Sequence, residues 1–196
     1  MEFYLNGEVL DITLEGEKTV GEVLRSFEKT AQENKCATIA INVDGKKIEA
    51  EEFDKVATQE LRDDTRIELT AVSQDSVAQA FKESSEEISK TVDLLLELPV
   101  LLQSGSNSKV KDSITRLADA VDNFCHITAL SSLFPEKFGK ISVDGKNLSE
   151  FFADFTPVFN DLNGAMESGD TVLLGDLAEY EISPRLKALA AAVKDL

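Results

Sequence analysis

Phe3-Tyr4-Leu5-Asn6-Gly7-Glu8-Val9-Leu10-Asp11-Ile12-Thr13-Leu14, followed after four intervening residues by Thr19-Val20-Gly21-Glu22, decides how the chain begins to fold. Phe3 and Leu5 alternate with Glu2, Tyr4 and Asn6, a period of two that suits a half-buried strand. Asn6-Gly7 is a type I′ turn signal, because both residue types tolerate positive φ. Leu10, Ile12 and Leu14 alternate with Asp11 and Thr13 on an expected return strand. Thr19 and Glu22 form a capping box, and Val20, Val23, Leu24 and Phe27 then give a helical stripe running to Lys35.

Downstream, Ile39, Ile41 and Val43 alternate again and lead into a second turn signal, Asp44-Gly45. Ile48 belongs to a short strand. A Gly-free turn near Asp63-Asp64 precedes a last strand, Arg66 to Val72, marked by Ile67 and Leu69. Leu5, Ile12, Phe27, Ile41 and Ile67 are the expected inward set.

The element order is strand, strand, helix, strand, short strand, strand. It resembles the β-grasp fold, in particular its ubiquitin-like and sulfur-carrier-like members, with the Asn6-Gly7 hairpin and the Thr19 helix start in the expected places. The resemblance implies a sheet with the helix on one face and the other face free. It also implies that the free face and the strand edges serve as protein-binding surfaces. Carrier members end in a flexible Gly-Gly tail. Here Leu69-Thr70-Ala71-Val72 runs on, and the sequence closes on Lys194-Asp195-Leu196, so a carrier role is not expected.

With 196 residues, the chain has room for one large or two small domains. The expected division is a β-grasp domain over 1–72 and a helical bundle over 76–196, an α+β chain. The joint is expected at Ser73-Gln74-Asp75, with Ser76 and Gln79 as a capping box for the next helix. Acidity does not separate the halves. Residues 1–72 hold 9 basic and 17 acidic side chains and the remainder 11 and 20, for a net charge of −17. That field repels nucleic acid, and any charged partner is expected to be a basic protein. No run of about 18 apolar residues occurs, so no membrane span is expected. The Met1-Glu2-Phe3-Tyr4 start has neither the basic region nor the apolar run of a secretory signal, and a cytoplasmic location is expected.

The second half reads as four helical segments. The first, Ser76 to Gln103, is expected to bend at Pro99. The second, Ser108 to Leu133, carries a seam of Val110, Ile114, Leu117, Val121 and Phe124. Val-Asp-Gly-Lys, seen at 43–46, recurs at 143–146 and reads as shared turn chemistry that predicts a short hairpin or a structured loop. Asn147 and Glu150 cap the third helix, whose stripe is Leu148, Phe152, Phe155, Phe159, Leu162 and Met166, with a kink expected at Pro157. In the fourth segment the apolar phase slips at Ser183-Pro184, which predicts a kink or a break. Short loops make an up-down antiparallel bundle the default. In general build, a small acidic bundle of this kind resembles bacterial export chaperones.

No constellation announces a reaction. Cys36 and Cys125 form no CxxC pair and are expected to be reduced, mostly buried thiols. His126 is the single histidine and is expected to be buried or half-buried. It follows Cys125 directly, and adjacent helical side chains diverge by about 100°, a poor geometry for proton transfer. One histidine cannot supply paired Glu-x-x-His motifs, and Asp112, Asp119 and Asp122 have the spacing of a solvated helix face. No GxGxxG, GxxxxGK[ST] or GxSxG occurs. No catalytic residue, cofactor or metal is therefore expected.

The expected function is a non-enzymatic protein-interaction module, an adaptor or chaperone. The alternative is a small-molecule binder or enzyme with a pocket in the bundle or at the domain interface. Phe151, Phe152, Phe155 and Phe159 share one helix, either as core or as the wall of a groove for an amphipathic partner helix. Leu173, Leu174, Leu177, Tyr180 and Ile182 wrap most of the segment 170–182. They are the expected protein-binding residues, through a homodimer seam or a docking site, unless that helix is central to the fold.

Overall fold

The computed structural model describes residues 1–196. The chain is α+β and divides into two compact units, Met1–Ser76 and Val77–Leu196.

In the first unit, β1 (Glu2–Leu5), β2 (Glu8–Val9), β3 (Cys36–Val43), β4 (Lys46–Lys47) and β5 (Arg66–Ser73) form one mixed sheet in the order β2-β1-β5-β3-β4. β1 and β5 are parallel, and the other pairs are antiparallel. Asn6 and Gly7 turn the first hairpin at φ 52° and 85°. The Asn6 side chain also reaches β5, where its amide donates to the Ala71 carbonyl (3.1 Å) and its oxygen accepts from the Ala71 N–H (2.9 Å). α1 (Val20–Glu33) starts at the expected capping box: Thr19 Oγ1 accepts from the Glu22 N–H (3.3 Å), and the Glu22 carboxylate accepts from the N–H groups of Thr19 and Lys18. Those bonds hold the Glu22 carboxyl below the ordinary glutamate range. α2 (Phe53–Ala57) follows β4.

Phe3, Val20, Val23, Leu24, Val43, Val56, Ile67 and Leu69 form the core. Of the expected inward set only Ile67 is fully buried; Leu5, Ile12, Phe27 and Ile41 are half-buried around it. The return strand is shorter than expected. It ends at Val9; the Leu10 N–H still donates to the Phe3 carbonyl (2.8 Å), and 11–14 lies outside the ladder. Of the alternating set only Ile12 is half-buried; Leu10 and Leu14 are exposed, because no further strand pairs with this segment and holds it to the sheet.

The second helical start differs from the expected joint. β5 runs directly into α3 (Gln74–Leu96), and the reciprocal cap is Ser73 with Ser76: the Ser76 N–H donates to Ser73 Oγ and the Ser73 N–H to Ser76 Oγ, both at 3.0 Å. Gln79 instead donates to Glu83 (2.9 Å). At Pro99 the first segment breaks into α3 and α4 (Leu98–Gln103), with Pro99 in the first turn of α4, where its missing N–H costs nothing.

α5 (Asn107–Ser131), α6 (Pro135–Phe138), the hairpin β6 (Ser142–Val143) and β7 (Lys146–Asn147), α7 (Leu148–Ser168), α8 (Thr171–Asp176), a π-helical turn (Leu177–Ile182) and α9 (Ser183–Val193) complete the bundle. Both Val-Asp-Gly-Lys segments are hairpins with matching backbone, Asp44 and Asp144 each at φ 51°. Asn147 Oδ1 accepts from the Glu150 N–H (2.9 Å) and Glu150 returns the bond to the Asn147 N–H (3.1 Å). Asn147→Ala is expected to cost about 1 kcal/mol, read as a lower urea midpoint with an unchanged slope.

Neither Pro157 nor Ser183-Pro184 ends a helix. α7 runs unbroken through Pro157, which is exposed, so the carbonyl that loses its partner can face water. At Ser183-Pro184 the helix continues, and the phase slip is taken up by the π turn. Leu174, Ala178, Ile182 and Leu186 are all buried and lie four residues apart. At about 100° per residue each step overshoots one α-helical turn by about 40°. The wider π turn absorbs that drift. Ser183 Oγ donates to the Ala178 carbonyl (2.7 Å) inside this turn.

Candidate functional site

α5 and α7 bury narrower stripes than their apolar residues would allow. On α5 the buried line is Ser113, Leu117, Ala120, Phe124, Ile127 and Ser131. Of the expected seam, Leu117 and Phe124 are therefore core, whereas Val110, Ile114 and Val121 are half-buried. On α7 the buried line is Phe151, Phe155, Val158, Leu162 and Ala165; Leu148, Phe152 and Phe159 are half-buried and Met166 is exposed. The phenylalanine cluster is thus split. Phe151 and Phe155 are core, and Phe152 and Phe159 sit at its edge.

The helices are held together through Phe124, whose ring meets Phe81 at 5.6 Å and Phe152 at 5.9 Å. Beside this contact an open groove of 430 Å³ lies between them. Ile114, Leu117, Ala118, Val121, Asp122 and Cys125 of α5 and Phe159 and Leu162 of α7 line it. Phe159 at its floor stacks on the buried Phe155 with ring centroids 4.3 Å apart. Asp122 is the one charged residue in the wall, and Asp161 is exposed on α7 between Phe159 and Leu162.

Cys125 is exposed rather than buried as expected, and so is His126. Partial burial, and then the charge of Asp122, push the Cys125 thiol up, which keeps it protonated at neutral pH and a weak nucleophile. His126 is not among the residues lining the groove.

Residues 79–192 match the family model described as a domain of unknown function, DUF8042, and residues 1–73 match the model described as the TP0873 N-terminal domain. The chain belongs to the DUF8042 family. A Treponema pallidum (strain Nichols) protein described as uncharacterized is 30% identical over 193 residues, 98% of this chain and 96% of that relative. No solved structure matches the chain. α5, α7 and the groove lie wholly within the DUF8042 segment.

The five residues singled out in 170–182 do not form one surface. Leu174, Leu177 and Ile182 are buried in the bundle, whereas Leu173 and Tyr180 are 42% and 64% exposed. α4 covers the inner side closely, since a Cβ added at Gly175 would lie 3.6 Å from the Pro99 side chain. Leu173 and Tyr180 are seven residues apart and share the outer face with the exposed Asp176. The α7 wall of the groove was one of the two readings of the phenylalanine cluster, and it falls on Phe159. The α5 wall, Ile114, Ala118 and Val121, was missed, its signal being apolar residues beside the buried line.

Proposed function

We propose that this chain is a non-enzymatic protein-binding module, adaptor- or chaperone-like, whose helical unit takes the apolar face of a partner helix in the α5–α7 groove. The observation that carries this reading is the groove itself: open, almost wholly apolar and built on two long helices. A groove of this kind suits the i, i+3, i+4, i+7 anchors of an amphipathic helix. Small-molecule sites are more enclosed and bring several polar groups together. Asp122, Asp161 and the acidic surface favour a helix with basic flanks. The strand order of the first unit supports its reading as a β-grasp domain, a fold that offers surfaces for protein binding. A cytoplasmic location goes with this reading, since two free cysteines suit a reducing compartment.

The test is titration of the full chain with a synthetic amphipathic helix of leucine and lysine. Binding is expected to saturate and to weaken as salt rises, because exposed charges are screened beyond about 8 Å at physiological ionic strength. Val121→Glu, at a half-buried position, should weaken binding at least tenfold while circular dichroism stays unchanged. Equal binding by the variant would remove the groove as the site. Retention of the protein on a nucleic-acid column at moderate salt would contradict the charge argument.

A further inference from the structure

We propose that the open edge of β3, over residues 36–40, accepts an extended peptide strand that is neutral, alternately apolar and flanked by basic residues. This site is in the first unit and rests on observations independent of the helical groove.

β3 is paired along its length with β5 on one side. On the other side β4 covers only Asn42 and Val43, and the last bond there is from the Ile48 N–H to the Ile41 carbonyl, at 2.9 Å. From Cys36 to Ala40 that side of the strand has no backbone partner. An unpaired edge is a template for another strand, and proteins normally blunt it with charge or proline. Cys-Ala-Thr-Ile-Ala-Ile-Asn-Val, residues 36–43, contains neither.

Two features fix the kind of occupant. The register of β3 against β5 shifts between Thr38 and Ala40, and this bulge leaves Ile39 45% exposed. Ile39 lies in a groove of 430 Å³ alongside the edge, with Leu24, Ile41, Ile48 and Phe53 as apolar walls and Arg25 and Glu28 as its charged lining. A strand added to the edge sets every second side chain over that groove, because side chains alternate between faces. The occupant is thus extended by backbone demand and apolar at alternate positions by groove chemistry. The 17 acidic against 9 basic residues in 1–72 oppose a second copy and favour basic flanks.

The experiment titrates the full chain with an eight-residue peptide of alternating valine and threonine between terminal lysines. Binding should saturate and should slow hydrogen exchange of the 36–40 amides. N-methylation of one alternate set of peptide amides should weaken binding at least tenfold, and methylation of the other set should not. Ile39→Lys should weaken it by a similar factor. If that variant misfolds, the methylated peptides on the unaltered protein decide the matter alone. No saturable binding, or equal binding by both methylated peptides, overturns the proposal. Concentration-dependent protection of 36–40 without peptide also overturns it, since a second copy would then be the occupant.

Discussion

Leu174→Asp is expected to unfold the helical unit, with a loss of about 5 kcal/mol or more at neutral pH. Leu174 is 5% exposed, on the side of α8 that faces the bundle. The substitution removes a buried leucine, worth about 2–5 kcal/mol when cut to alanine. It also leaves a carboxylate without a partner in an apolar setting, which adds several kcal/mol unless the group takes a proton. The total rivals the whole stability of a typical domain, about 5–15 kcal/mol. Leu173→Asp, one residue away but exposed, should stay within about 0.5 kcal/mol of the parent. Urea denaturation followed by far-ultraviolet circular dichroism separates the two. A folded Leu174→Asp with a parental midpoint would show that the segment is an interface and not core.

Gly21→Val should destabilise the first unit by about 3 kcal/mol. Gly21 sits in the first turn of α1, where α2 crosses it. An added Cβ would lie 2.7 Å from the Ala57 Cβ and 2.8 Å from the Ala57 carbonyl oxygen. Backbone must therefore move, since no flexible side chain can yield. Gly21→Ala meets the same clash with a smaller group, and its better helix propensity returns about 1 kcal/mol, so its loss should be visibly smaller. The ordering parent, alanine, valine in thermal midpoint is the result to check. A Gly21→Val variant as stable as the parent would mean that α2 can be displaced at no cost.

Much of the architecture was legible because local chemistry leaves little choice. Asn6-Gly7, Asp44-Gly45 and Asp144-Gly145 all turn as hairpins, since both residues of each pair tolerate the positive φ that the turn requires. Thr19 with Glu22 and Asn147 with Glu150 start helices because they satisfy each other's orphan N–H groups. The phase slip near Ser183 was visible too, but whether a helix breaks or widens into a π turn depends on what its buried face must meet. The cap at Ser73 was misread by one turn, because Ser73 and Ser76 both carry hydroxyls that can cap.

The candidate site was legible only in part. Apolar stripes on α5 and α7 were plain in the sequence, yet Ile114 and Val121 read there as a bundle seam, and Phe159 read equally as core or as groove wall. A helix with a wide apolar face can bury all of it or leave one edge open, and only the position of its neighbours decides. The same holds for 170–182, where α4 and the bundle helices cover Leu174, Leu177 and Ile182 and leave Leu173 and Tyr180 outside. The open edge of β3 is of this kind as well. Alternation in 39–43 specified a strand and its faces, but whether a strand has one neighbour or two depends on chain segments far away in sequence. The sequence by itself determined the turns, the caps, the helical and strand periods and the acidic surface, because each follows from a few adjacent residues. Tertiary structure alone decided which apolar residues are covered and which remain available for binding, because burial depends on how distant segments meet.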